Sequence, residues 1–159
     1  MKNKNGFTLV ELLAVVLVLG IVASIVSLSV VGIKRSAAKN TFKRLEKQIA
    51  DLGPQIHSHE FLMGNKTDAD SYYQKSKGTD IFIIPLDSLK TAGYIDDIKS
   101  PFGSNNCTGY LYVDPSAGDS NDMFVGKLDC TTDASDTDPD KKSDGYNDSQ
   151  PTAKISKIN

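Results

Sequence analysis

The stretch GFTLVELLAVVLVLGIVASIV, from Gly6 to Val26, decides the architecture of this chain of 159 residues. It is apolar almost throughout, but it carries one carboxylate, Glu11. No formally charged residue occurs from Leu12 to Ile33, and this span matches the roughly 20 apolar residues that cross a bilayer. A carboxylate is costly in lipid unless a partner neutralises it, so Glu11 needs a physical explanation.

The charges that flank this segment predict its orientation. The leading residues contain Lys2 and Lys4 and no acid, so the positive-inside bias keeps them cytoplasmic and sends the remainder across the membrane. A basic cluster after the segment favours the opposite orientation if the anchor is permanent: Lys34, Arg35, Lys39, Lys43 and Arg44. A temporary anchor removes this conflict. A cleaved secretory signal fits poorly, because its apolar core would cover only about 7 to 15 residues.

Residues 4–13, KNGFTLVELL, closely resemble the processing site of type IV prepilins and the related pseudopilins. The shared features are a short basic leader, Gly6 directly before Phe7, Glu11 as the fifth residue after that junction, and an uninterrupted apolar helix. The resemblance implies that a membrane prepilin peptidase cuts between Gly6 and Phe7 on the cytoplasmic side and methylates the new Phe7 amine. An unrelated membrane anchor is the alternative, but it leaves the acid unexplained.

The resemblance gives Glu11 a role in assembly. After cleavage the chain begins with a cationic amine at Phe7, and a filament of parallel helices can place that amine beside the Glu11 carboxylate of a neighbouring subunit. Two charges that are each costly in an apolar medium are tolerated as a hydrogen-bonded pair. The pair would set the axial register, so Glu11→Ala is predicted to leave processing intact and to impair incorporation into filaments.

An apolar stripe predicts that the helix continues well past the membrane segment. Its members are spaced alternately four and three residues apart: Ala38, Phe42, Leu45, Ile49, Leu52 and Ile56. We interpret the stripe as packing on a sheet of the same chain, and a separate partner helix is the alternative. Gly53 and Pro54 should bend or interrupt this helix, because proline lacks a backbone donor and clashes with the preceding turn.

The pattern changes after Met63 to short apolar runs separated by turn residues. Residues Ile81 to Ile84 predict a short buried strand, followed by a brief helix. Asp87 or Ser88 can cap the start of that helix, and Gly93 can end it.

A hairpin is predicted from GYLYVD and MFVGKLDC, whose connecting turn is PSAGDSND. If residues whose numbers sum to 237 face each other, one face is apolar throughout: Cys107, Leu111, Val113, Phe124, Leu128 and Cys130. The cysteines then lie opposite one another at the open end of the hairpin. Because they belong to the translocated part, where disulfides persist, we expect a bond between them. Two free buried thiols are the alternative.

The acidic tail contains a possible calcium loop. Four carboxylates have the one, three, five, nine spacing of such a loop: Asp136, Asp138, Asp140 and Asp144. The expected sixth-position glycine is Lys141, however, and the twelfth position is Asn147 rather than a bidentate glutamate. Calcium binding therefore competes with a plain solvated loop. Beyond it, Ala153 to Ile158 predict a weak alternating strand.

Catalysis is not expected. Nothing in the sequence resembles a nucleophile with its base, a phosphate-binding glycine loop or a paired-carboxylate site, and calcium is the only candidate cofactor. His57 and His59 are two residues apart, which places them on different faces of a helix. The outer loops are acidic where phosphate contacts need Lys and Arg, so no direct nucleic-acid binding is expected.

The sequence therefore predicts an α+β chain with the pilin fold. Its long N-terminal helix should have a protruding hydrophobic half and a second half packed on a small antiparallel β-sheet head. The expected organisation is a leader at 1–6, a transmembrane and filament-core segment at 7–33, an amphipathic helix at 34–63, and a β-rich head at 64–159 with a variable C-terminal loop.

The resemblance implies a structural subunit, a major or minor pilin, in a homo-oligomeric or mixed surface filament. Its implied partners are the peptidase and the assembly platform with its ATPase. The precursor would lie in the cytoplasmic membrane, and the mature filament would serve adhesion, motility, biofilm formation or DNA uptake. Two alternatives stay open: a pseudopilin of a type II secretion or competence system, and a membrane-anchored surface binding protein that never polymerises.

Overall fold

The computed structural model describes residues 8–132 and 135–158, with the backbone alone at 25–31 and 120–121. A long N-terminal helix and a small antiparallel sheet confirm the predicted α+β class. The elements follow in chain order: α1 (Leu9–Asp51), α2 (Gly53–Met63), α3 (Tyr72–Lys75), β1 (Phe82–Pro85), α4 (Leu86–Ala92), β2 (Thr108–Val113), α5 (Ser120–Met123), β3 (Phe124–Asp129) and a 3-10 turn (Pro139–Lys141).

The chain divides into two compact units, one up to Ala37 and the other from Ala38 onward. The hydrophobic core belongs to the second unit, where α1, α2 and α4 supply apolar side chains that meet one face of the sheet. The predicted stripe packs into this core, because Phe42, Ile49 and Ile56 are buried and Leu45 and Leu52 are partly buried. The stripe is therefore part of the head's own core.

The helix is interrupted where the sequence predicts it. α1 ends at Asp51 and α2 begins at Gly53, with Pro54 in its first turn. Proline is tolerated there because the first N–H groups of a helix have no partner within it.

The three strands are antiparallel in the order β1-β2-β3. The register of β2 and β3 is the predicted one: Val113 faces Phe124, Leu111 faces Gly126 and Gly109 faces Leu128. The predicted apolar face is buried at each of its members, Cys107, Leu111, Val113, Phe124, Leu128 and Cys130. Strand alternation with one buried face was thus enough to fix the register.

Cys107 and Cys130 form a disulfide at the open end of this hairpin, as predicted. The bond closes a loop with a sequence separation of 23 residues. Such closure restricts the unfolded chain, and both cysteines are also buried in the core.

Replacing both cysteines by alanine is expected to lower the free energy of unfolding by about 3 kcal/mol, since the unfolded chain regains its loop entropy. Urea unfolding of the full chain in detergent micelles, with and without reductant, measures the loss. Reductant should destabilise the parent chain and leave the Cys107→Ala, Cys130→Ala variant unchanged. Equal stability of parent and variant would show that the disulfide does not stabilise the fold.

Two glycines let the helices approach the hairpin closely. A Cβ added at Gly126 would lie 2.1 Å from the backbone oxygen of Glu46, and one added at Gly53 would lie 2.1 Å from the ring of Phe124. Neither distance is compatible with a side chain. The helix pair therefore sits on β3 at a separation that only glycine permits.

The predicted short buried strand is present, but it runs over Phe82–Pro85 rather than Ile81 to Ile84. The prediction for the start of the next helix was wrong. α4 starts directly after this strand, with Pro85 at the N-cap and no side-chain cap, so neither Asp87 nor Ser88 caps the helix. The end was predicted correctly, because Gly93 adopts φ 93° and its N–H bonds the carbonyl groups of the last turn.

The C-terminal segment does not form the predicted alternating strand. Among the described residues it makes two isolated parallel bridges, Ile83 with Thr152 and Ser71 with Lys154. The segment is then diverted, because the buried carboxylate of Glu60 accepts hydrogen bonds from Ser156, at 2.7 Å from its backbone N and at 3.3 Å from its hydroxyl. The C-terminal segment thus covers the free edge of β1, and the bonds from Ser156 to Glu60 attach this segment to α2.

His57 belongs to α2 and contacts the core residue Tyr72, whose hydroxyl lies 2.8 Å from the His57 Nδ1. Burial lowers the pKa of His57 below its usual value near 6.5. The unfolded chain therefore binds a proton before the folded chain does, and stability should fall as the pH drops below about 6.5. We expect urea unfolding at pH 7.5 and pH 5.5 to show this loss, and His57→Gln to reduce it. An unchanged pH slope in the variant would assign the loss to other groups.

Candidate assembly site

Glu11 lies in the first turn of α1, where it closes a capping box with Thr8. The Thr8 backbone N–H and hydroxyl each donate to Glu11 Oε2 at 2.9 Å, and the Glu11 N–H donates back to the Thr8 hydroxyl oxygen at 3.3 Å. This reciprocal pattern satisfies N–H groups that have no partner within the helix. The carboxylate is therefore held in a fixed position at the start of the helix, and it is exposed there.

The part of α1 around Glu11, from Leu9 to Val22, presents an otherwise apolar surface. Large apolar side chains from Leu9 to Val22 are between 51 and 81% exposed. Such a continuous apolar surface marks an interaction site, since isolated soluble domains rarely expose one of this extent. The acid at its start is thus an oriented charge at the edge of an apolar helix face.

Within the described parts of the chain, no helix reaches the combined length and apolarity needed for a membrane crossing. The predicted transmembrane segment, 7–33, includes Phe7 and the side chains of 25–31, which lie outside the described residues. The predicted leader also lies outside them, with Lys2, Lys4 and the Gly6–Phe7 junction.

Three of the four carboxylates of the predicted calcium loop, those of Asp136, Asp138 and Asp140, have other partners. Asp136 pairs with Lys141 at 2.8 Å, and this hydrogen bond lowers the pKa of Asp136 to about 2. Asp140 pairs with Lys39 at 2.7 Å, and Asp138 accepts from the backbone of Asp140 at 3.1 Å. In residues 8–132 and 135–158 no group of three or more potential ligands is placed to hold a metal. Calcium binding stays a prediction.

Two functional features were overlooked in the sequence. The capping box could have been predicted from the sequence, because Thr8-x-x-Glu11 before an apolar run is its signature. The role of Glu60 in anchoring the C-terminal segment could not have been predicted, because its partner Ser156 is 96 residues away in the chain. The structure gives His57 and His59 different partners: His57 bonds Tyr72, and His59 Nδ1 lies 3.5 Å from Glu60 Oε1.

Comparison with known proteins gives one finding for the N-terminal segment. Residues 1–32 match the family model described as the prokaryotic N-terminal methylation motif. No curated protein and no solved structure matches the chain. The matched residues contain the basic leader, the Gly6–Phe7 junction and Glu11, which are the features quoted above. The first 32 residues therefore carry the prepilin-type signal of type IV pilins and pseudopilins.

Proposed function

We propose that this chain is the precursor of a pilin-like structural subunit. A prepilin peptidase cuts it between Gly6 and Phe7, and the new Phe7 amine is methylated. The mature chain then joins a surface filament, either of identical copies or of mixed pilins. The match of residues 1–32 to the methylation motif carries this proposal.

The exposed helix supports the assembly step. The apolar side chains from Leu9 to Val22 are exposed among the described residues of their unit, and parallel copies of the helix would bury them against one another. At about 25 cal/mol for each Å² removed from water, this burial supplies the main driving force for assembly. Apolar surfaces slide easily along their axis, however, so a directional contact has to set the register.

Glu11 supplies that contact in our proposal. The amine at Phe7 of one mature subunit meets the Glu11 carboxylate of a neighbour, and both charges are compensated inside the apolar bundle. Thr8 orients the carboxylate before it finds this partner. The capping box therefore orients the Glu11 carboxylate, which then pairs with the amine of the neighbouring subunit.

The precursor in this proposal is held in the cytoplasmic membrane by its apolar segment, with the basic leader on the cytoplasmic side. An assembly platform and its ATPase then move the processed subunit from lipid into the filament. Loss of Lys2 and Lys4 changes the formal charge of −2 to −4. The role is structural, and we propose no catalytic activity.

A pseudopilin of a type II secretion or competence system would carry the same signal, as would a membrane-anchored surface protein that never polymerises. Electron microscopy of cells that lack the chain separates these possibilities. Loss of surface filaments indicates a major pilin, and shortened filaments indicate a minor one. Unaltered filaments together with lost secretion or DNA uptake indicate a pseudopilin. If filaments, secretion and uptake are all unaltered, the proposal of a filament subunit is wrong.

A further inference from the structure

A lysine groove lies in the second unit, between α1 and the loop that contains the 3-10 turn. Its volume is about 640 Å³. Three acidic side chains line it, Glu46, Asp140 and Asp144, against five lysines. The lysines are Lys39, Lys43, Lys47, Lys127 and Lys142. The groove is therefore locally cationic in a chain whose overall charge is negative.

Ion pairs within the chain neutralise only part of this positive charge. Lys39 pairs with Asp140 at 2.7 Å, and Lys142 pairs with Asp129 at 2.7 Å. Lys43 and Lys47 have no ion-pair partner among the described residues, and both are exposed. Because they are four positions apart on α1, they lie on one face and repel each other until an anion comes between them.

An acidic turn lies on the same unit. The turn between β2 and β3, residues 114–123, contains Asp114, Asp119 and Asp122 and no basic residue. Asp114 fixes its shape, since its carboxylate accepts from the Ser116 backbone N at 2.9 Å and its own N–H donates to the Met123 carbonyl at 2.9 Å. Asp119 and Asp122 are exposed on this ordered turn.

The unpaired lysines of the groove and the acidic turn are displaced along the helix axis. The turn leads into Phe124, which lines the groove and whose ring lies against Gly53, whereas Lys43 and Lys47 lie earlier on α1. Gly53 is six positions after Lys47, which corresponds to a rise of about 9 Å along a helix. In a filament of parallel copies, a contact between two different surfaces is heterologous, so it propagates from copy to copy.

We propose that the acidic turn of one copy seats in the lysine groove of the next copy, with Asp119 and Asp122 beside Lys43 and Lys47. This contact rests on the proposed filament function and names the surfaces through which the heads meet. The apolar helices supply most of the affinity, and the charged contact selects the correct neighbour and register, as charge complementarity commonly does. The contact weakens as salt increases, because its charges are exposed.

Charge reversal in cells that produce the full chain tests the contact. Lys43→Glu with Lys47→Glu, or Asp119→Lys with Asp122→Lys, should each reduce sheared filament by about tenfold or more through like-charge repulsion. Combining all four changes restores opposite charges and should restore most of the filament. The matched control, Lys99→Glu with Lys157→Glu, reverses two exposed lysines outside the groove and should leave the yield unchanged.

A carbodiimide cross-link between copies identifies the contact directly. Cells carrying a mixture of light and heavy isotope-labelled chain should yield heavy–light peptides that join Lys43 or Lys47 to Asp119 or Asp122. Filaments without this cross-link, together with normal filament yield from the reversed variants, would overturn the contact and leave the filament function standing. The cross-link without any filament would support the contact and overturn the filament function.

Discussion

Glu11→Gln is expected to abolish filament assembly and to leave cleavage of the leader intact. Glutamine keeps an oxygen that can accept from Thr8, so the helix retains its cap, but the negative charge is lost. The Phe7 amine of the neighbour would then be buried without a counter-charge, which typically costs about 3 to 5 kcal/mol. That cost corresponds to a loss of filament of about 100-fold or more. Sheared filament, measured against total processed chain, gives the result.

The matched variant for this test is Thr8→Val. It removes both hydrogen bonds from the Thr8 hydroxyl and keeps the Glu11 carboxylate. We expect filament yield to fall far less than in Glu11→Gln, because capping contributes only about 1 kcal/mol. If Thr8→Val loses as much filament as Glu11→Gln, the acid serves the helix rather than the neighbouring subunit.

Gly126→Val is expected to destabilise the head more than a typical core substitution. The added Cβ would lie 2.1 Å from the Glu46 backbone oxygen and 2.9 Å from the Ile49 Cβ. Backbone cannot rotate away as a side chain can, so α1 would have to separate from β3. We expect a loss of about 3 kcal/mol or more in the free energy of unfolding, at the upper end of overpacking effects.

Urea unfolding of the full chain in micelles measures this loss. Gly118→Val is the matched control, since a Cβ at Gly118 would meet nothing within 4 Å, and its effect should stay within about 0.5 kcal/mol. Equal effects of the two substitutions would show that β3 and α1 do not depend on a glycine between them.

The parts of the fold that were predicted correctly are those with a strong local period. The hairpin register followed from alternation along two strands, since a slip by one residue would turn Leu111 and Phe124 away from the core. The stripe from Phe42 to Ile56 likewise required only the helical period. Gly93 was predicted as a helix end because few other residues adopt a positive φ readily.

The parts that were predicted wrongly depend on contacts between distant residues. The tail was expected to form a strand by its alternation, but Glu60 draws Ser156 away from the sheet edge. The sequence also carried no sign that Tyr110, on the other face of the hairpin, is buried, with its hydroxyl accepting from the Asn147 N–H and its ring 4.9 Å from that of Tyr146. Such contacts join segments that are distant in the chain, so no periodic pattern in the sequence predicts them.

The candidate site divides in the same way. The prepilin-type signal of residues 1–32 could be predicted from the sequence, because it is a short contiguous string. The roles of Gly6, Phe7 and Glu11 within it stay predictions. The lysine groove could not, because α1, β3 and the 3-10 turn have to pack before Lys43 and Lys127 line one surface. Local chemistry is thus visible in the sequence, whereas surfaces made by several elements require the fold.

Mass spectrometry of the N-terminus of the chain, recovered from the surface of producing cells, tests the proposed cleavage and methylation. We expect a mature chain that begins at Phe7 with a methylated amine, and no peptide that contains Lys2 or Lys4. In cells without the prepilin peptidase, the full leader should be retained. A surface chain that keeps residues 1–6, or that begins at a residue other than Phe7, would contradict the proposed cleavage.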